Sequence, residues 1–327
     1  MSTTELPPEI GVTRGPGGPE QKRLALLSLF AAIYTYLLVV FGGIVRITGS
    51  GLGCGDDWPR CNGEWIPTFT LETLIEYTHR LLAAGIGIVV LGVFGYAWLR
   101  RSSPGVGRRG GLVGPLLLAA ALLIFQAGLG AITVRLELPT SVTVAHFITA
   151  LLFMTTLIVA AARGGALGRV GGDTPAALSK IANRVTAVAV LGLIVVAFGA
   201  LTANTPGAPA ACTGFPLCNG RLLPAGGVRT AEIHWGHRLV AFAVLFAALW
   251  AARSAWKAGA SRAVVLAGLA SVVLIVAQLA VAAGLVLLRL PPSLQALHLA
   301  VGAAVWFALA TWAILARLDA RREATVA

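Results

Sequence analysis

Four of the five histidines of this chain stand in two matched pairs within apolar stretches: His79 and His146 in the first half, His237 and His298 in the second. Their surroundings repeat. Thr78-His79-Arg80-Leu81 corresponds to Gly236-His237-Arg238-Leu239, and Gln126 precedes Pro139 by 13 residues and His146 by 20, as Gln278 precedes Pro291 and His298. Imidazole suits iron, copper and zinc. Any one such histidine has a plainer reading as an interhelical hydrogen bond, but four at matched depth in a duplicated unit argue for two metal-centred cofactor sites. Zinc or copper would want further ligands, and no cysteine, methionine pair or carboxylate cluster stands at this depth. One histidine from each of two facing helices is the arrangement that holds haem iron from both faces. His79/His146 and His237/His298 therefore read as two axial pairs.

The copies differ at one place. Glu76 precedes His79 by three residues, whereas His234 precedes His237 by three. At i,i+3 spacing each shares a helical face with the histidine that follows. A carboxylate one turn outward of a haem ligand can move protons or stabilise a developing cation; a structural ion pair with Arg80 or Arg135 is the alternative. The asymmetry suggests chemistry in the first half and a supporting haem in the second, with His234 interfacial. Arg46, Arg80, Arg135, Arg238 and Arg289 lie near the same outer ends and are candidates for haem propionates, with snorkelling to headgroups as the alternative. Gly42, Gly43, Gly51 and Gly53 suit tight packing and turns near a large flat ligand.

These residues need a membrane scaffold to position them. Of the 327 residues, 57% are hydrophobic and 12% charged, against ~25% charged in a soluble domain. Eight apolar runs reach the ~20 residues that a span requires: about 24–46, 72–99, 112–134, 140–162, 182–203, 230–252, 263–287 and 293–316. They lack the in-out alternation of a barrel, so the fold class is all-α with eight transmembrane helices in two pseudo-symmetric four-helix bundles. The organisation expected is a disordered tail 1–23, bundles 24–162 and 182–316, a linker 163–181 and a tail 317–327. No cleavage pattern precedes the first span, which is read as retained.

The net charge of +12 follows topology. Seventeen of the 25 basic residues, from Arg14 and Lys22 to Arg321 and Arg322, fall on one side if the spans alternate. The positive-inside rule makes that side cytoplasmic, with both termini inside a plasma membrane of bacterial type. This distribution argues against nucleic acid as a partner. All four cysteines then lie in outer loops: Cys54 and Cys61 in one, Cys212 and Cys218 in the other. Disulfides persist in oxidising compartments, so one bridge per repeat is expected, each adding roughly 2.5 kcal/mol by loop closure. A redox-active pair is a further reading. A metal site is the weakest, since the spacing is not that of a zinc knuckle and neither loop holds a histidine.

The segment from Gly43 to Cys54, followed by Asp57 to Cys61 and Glu76 to Arg80, resembles the haem A synthase family, as do Cys218-Asn219-Gly220, Gly236-His237-Arg238 and Leu297-His298. The resemblance covers about residues 24 to 316. It implies oxidation of the C8 methyl of haem O to a formyl group, haem O as substrate at His79/His146 and haem b at His237/His298. It places Glu76 at the family's essential carboxylate and Cys54–Cys61 at its outer-loop disulfide. A haem O synthase and an electron donor are implied partners, and small residues leave room for a homo-oligomer. The competing readings are a di-haem electron carrier of cytochrome b type and a haem exporter or chaperone.

Overall fold

The computed structural model describes residues 18–107, 110–168, 175–224 and 226–323. Arg14, Arg108, Arg109 and Arg169, and the chain ends 1–17 and 324–327, lie outside them. The helices are α1 (Pro19–Ile47), α2 (Leu71–Leu99), α3 (Val113–Arg135), α4 (Thr140–Arg163), α5 (Pro175–Asn204), α6 (Arg229–Lys257), α7 (Arg262–Leu287) and α8 (Pro292–Glu323), with one 3-10 turn at Ser50–Leu52. All eight α-helices are long and apolar enough to cross a membrane. The protein is a multi-pass, all-helical membrane protein.

Helices outrun the apolar segments at the basic side, so the expected tail and linker boundaries shift. Residues 19–23 are helical rather than tail, because Pro19 and Glu20 suit a first turn and Gln21 Nε2 bonds Arg163 O at 3.2 Å. Glu20 also bonds Tyr96 OH on α2. Residues 175–181, expected as linker, open α5, and α8 continues past 316 to Glu323. Polar side chains inside the spans bond their own helix: Ser28 Oγ donates to Leu24 O and Thr35 Oγ1 to Ala31 O. Without water, that is how a hydroxyl avoids being left unpaired.

α1 packs on α2 and α4, and α3 on α2 and α4, which closes a ring. α5 packs on α6 and α8, and α7 on α6 and α8, closing a second. α8 joins the rings by resting on α1 and α4, and α4 also touches α5. Tyr36 OH donates to Ala300 O and Trp306 Nε1 to Leu151 O across this seam. Leu299 fills the space that any side chain at Gly43 would occupy.

The packed cores sit toward the basic side. Val90, Val93 and Ala97 at the end of α2 meet Leu116 and Ala119 at the start of α3 and Leu157 and Ile158 at the end of α4. In the second ring Val185, Ala251, Val264 and Trp312 do the same. Each ring turns over at its cysteine-loop end by one device. Glu137 and Leu138 both have positive φ before Pro139, and Arg289 and Leu290 before Pro291. Leu138 N donates to Thr133 O and Leu290 N to Leu285 O, both at 2.8 Å, which ties off α3 and α7.

Candidate functional site

Where the cores end, on the side of the cysteine loops, the helices enclose a cavity of about 1220 Å³ lined by His79, His146, His237 and His298. A pocket for one drug-sized ligand takes ~300–1,000 Å³, so the space exceeds a single small site. His79 and His237 stand eight residues into α2 and α6, and His146 and His298 six residues into α4 and α8. At 1.5 Å per residue all four lie ~9–12 Å inside the helix ends.

Glycine makes room for the rings. A Cβ at Gly42 would stand 3.1 Å from His79 Cε1, one at Gly199 2.9 Å from His237 Cε1, and one at Gly130 3.2 Å from His146 Cε1. Phe41 stacks on His79, ring centroids 6.2 Å apart at 14°. His237 Nδ1 is 3.1 Å from Val195 O, which leaves Nε2 for a ligand. The rings of His237 and His298 meet edge to face, centroids 6.5 Å apart. Gln126 Nε2 donates to His146 O, and Gln278 Nε2 to His298 O, both at 2.9 Å. The Gln278 amide also comes within 3.1 Å of His298 Nδ1.

The donor set fits haem. Among the described residues no group of three or more His, Cys, Asp or Glu could hold a metal ion. Opposed histidine pairs are the ligands needed by an ion whose other four bonds come from a macrocycle. Buried Nδ1 atoms of His79 and His146 find no hydrogen-bond partner, and the predominantly apolar cavity around them suits a porphyrin.

Glu76 is 3% exposed and lines the cavity. Its Oε1 accepts from Arg80 Nε at 3.1 Å and Nη2 at 2.5 Å, and its Oε2 from Cys54 N at 2.8 Å. Arg80 Nη1 donates to Asp57 O and Arg60 O at 2.8 and 2.7 Å. The second half builds the same clamp with different residues. His234 Nδ1 lies 3.0 Å from Ala208 O and its Nε2 3.1 Å from Arg238 Nη2. Arg238 donates to the carbonyls of Cys212, Gly214, Pro216 and Leu217. His234 is 6% exposed, inside the loop clamp rather than at an interface with the bilayer.

The five arginines separate. Arg80 and Arg238 line the cavity, yet their guanidinium groups are spent on the cysteine loops. Arg46 lines it with one bond, Nη1 to Ala203 O at 3.3 Å. Arg135 donates to Trp58 O at 3.4 Å, and neither it nor Arg289 is on the cavity wall. Both disulfides form, Cys54–Cys61 and Cys212–Cys218, with Cα atoms 4.4 and 4.6 Å apart. Each ends in a tight reversal, Cys61 to Glu64 and Cys218 to Arg221, turning at Asn62-Gly63 and Asn219-Gly220 with positive φ throughout. Asn-Gly is the pair that favours such a turn, a signal the sequence reading left unused. It also left Gln126 and Gln278 without a role, although their equal distance to His146 and His298 pointed to one.

The family model of the cytochrome oxidase assembly proteins matches residues 25–72 and 66–310. A heme A synthase of Geobacillus kaustophilus is 34% identical over 241 residues, 70% of this chain and 71% of that one. The heme A synthase of Alkalihalophilus pseudofirmus is 30% identical over 220 residues, 67% of this chain and 72% of its own. That of Halalkalibacterium halodurans is 30% identical over 275 residues, 81% and 88% of the two chains.

Proposed function

The chain belongs to the cytochrome oxidase assembly protein family, and we propose that within it this protein is the oxidoreductase that converts haem O to haem A. The observation that carries this reading is the unequal pair of sites: two histidine pairs on one membrane cavity, with a carboxylate, Glu76, beside only the first. A pure electron carrier has no need of that difference.

In this reading His79 and His146 bind haem O and orient its C8 methyl group. Two successive oxidations of that methyl by O2 pass through an alcohol and a hydrated aldehyde that loses water to the formyl group. In each, one oxygen atom enters the C–H bond and the other leaves as water with two electrons from the donor and two protons. Glu76, held by Arg80 and the Cys54 amide, would accept a proton or stabilise a cationic intermediate. Arg46 is the guanidinium best placed for a propionate, since it reaches the cavity with most of its donors uncommitted. His237 and His298 hold haem b, which supplies one-electron chemistry when bound. The two rings act as a catalytic bundle, 24–162, and an electron-supplying bundle, 182–316, related by pseudo-symmetry. Both termini face the cytoplasm, and the disulfide loops face outward. A haem O synthase supplies the substrate, and an electron donor completes the reaction.

The test is to produce the protein together with haem O and identify its haems by mass. Haem A or its alcohol precursor supports the reading. Unmodified haem b alone, with haem O available, would replace it with a di-haem electron carrier.

A further inference from the structure

Aligning the halves on their histidines exposes a difference in the cavity wall. Ala84 and Gly87 of α2 correspond to Phe242 and Leu245 of α6; Ala127 and Gly128 of α3 correspond to Leu279 and Ala280 of α7. At all four positions the first half has the smaller side chain.

These positions meet on one seam. Tyr34 of α1 bonds Leu82 O and crowds Gly85, which marks the α1-facing side of α2. Ala84, Gly87 and Leu91 stand on the opposite side by helical phase, toward α3. On α3, Ile124, Ala127 and Gly128 share a stripe at i, i+3 and i+4. The seam is closed toward the cytoplasmic side by buried Leu116 and Ala120, and above by Ala131. Between them the cavity wall reaches the surface: Leu91 is 49% and Ile124 68% exposed, and Ala84, Ala127 and Gly128 are exposed as well. No cavity-lining residue of α6 or α7 is exposed; Val244 is 2% and Ile275 4%. Phe242 itself packs against Phe215 of the outer loop, centroids 6.2 Å apart.

We propose that the gap between α2 and α3, at the depth of Ala84 and Ala127, is a lateral door through which a membrane-dissolved porphyrin passes between bilayer and the His79/His146 site. Phe242 and Leu279 shut the equivalent door of the second half. The proposal rests on the substrate reading above and deepens it. A porphyrin bearing an apolar tail partitions into lipid and has no reason to cross the polar outer loops. A door at mid-seam admits it sideways with the tail still in hydrocarbon. It also explains how one fold keeps one haem and exchanges the other: access, not ligand type, differs.

The test copies the closed half into the open one. Ala84→Phe with Ala127→Leu, in nanodiscs and without oxygen, is expected to slow both uptake and release of haem O at least tenfold, with Kd within threefold. Ala121→Phe, on the lipid-facing surface of α3 off the cavity, should leave both rates unchanged. The converse pair, Phe242→Ala with Leu279→Ala, should speed haem b loss from the second half at least tenfold, and the retained His237/His298 absorption of the first variant reports its fold. Uptake at the wild-type rate in the plugged variant, or slow uptake with unchanged release, overturns the door. Wild-type protein that takes up haem O but does not oxidise it once oxygen and a reductant are admitted overturns the substrate reading and leaves the door standing. Should the wild type bind no haem O, the haem b arm alone decides: unchanged loss overturns the door.

Discussion

Arg80 holds Glu76 through two nitrogens on a single oxygen, Oε1, while Oε2 takes the amide of Cys54. One carboxylate thus fastens the first disulfide loop and borders the cavity lined by His79 and His146. Glu76→Gln removes the charge and keeps one acceptor oxygen, so one of the two partners, Arg80 or the Cys54 amide, keeps its bond while the other faces the side-chain NH2. Haem O binding is expected to stay within threefold and turnover to fall at least tenfold, read by haem extraction over time. Wild-type turnover would confine Glu76 to the clamp. Glu76→Ala should also cost ~3 kcal/mol, because Arg80 is left poorly paired near the interior, and a thermal melt measures that loss.

Arg238 reaches four loop carbonyls with one planar fork. Lysine carries the charge but not the fork. Arg238→Lys is expected to lose ~2 kcal/mol of local protection, roughly 30-fold in amide exchange, confined to the loop between α5 and α6. Exchange unchanged in that loop would mean the clamp contributes nothing to its order.

Gly199 leaves less room than Gly42 for the ring it faces, 2.9 against 3.1 Å. Gly199→Ala should therefore displace His237 and reduce haem b retention several-fold, with Gly42→Ala the milder of the two at His79. Gly92→Ala, on α2 off the cavity and with nothing within 4 Å of its Cβ, serves as the control. Equal effects at all three would show that helix propensity, and not ring space, is what the substitution changes.

Gln278 supports His298 from α7, through both the backbone carbonyl and the ring. Groups that orient a metal-bound histidine typically contribute 10–100-fold in affinity, so Gln278→Leu should weaken haem b by that factor and leave the first site unaffected. Titration of haem into the purified variant gives the number directly; undiminished affinity removes Gln278 from the site.

Much of this was legible in one dimension because it is set locally. Eight spans follow from apolar runs long enough to cross hydrocarbon, and each begins within a few residues of where composition placed it, except at α5, where Pro175 starts the helix seven residues early. The repeat located His79, His146, His237 and His298, and equal spacing in both copies put them at equal depth. The cysteine pairs sit only seven and six residues apart, so their loops had little freedom to choose other partners.

What the tertiary structure decided concerns groups far apart in sequence whose meeting depends on helix phase. Arg80, Arg135, Arg238 and Arg289 were indistinguishable as cations near the same helix ends; only packing shows Arg80, Arg135 and Arg238 bonded to the cysteine loops, and Arg135 and Arg289 off the cavity wall. His234 was assigned to the interface, and its burial beside Arg238 depends on a loop carbonyl 26 residues away. The size difference between Ala84 and Phe242 was present in the sequence throughout. It acquires meaning only when α2 and α3 are side by side, because a gap in a wall belongs to two helices at once.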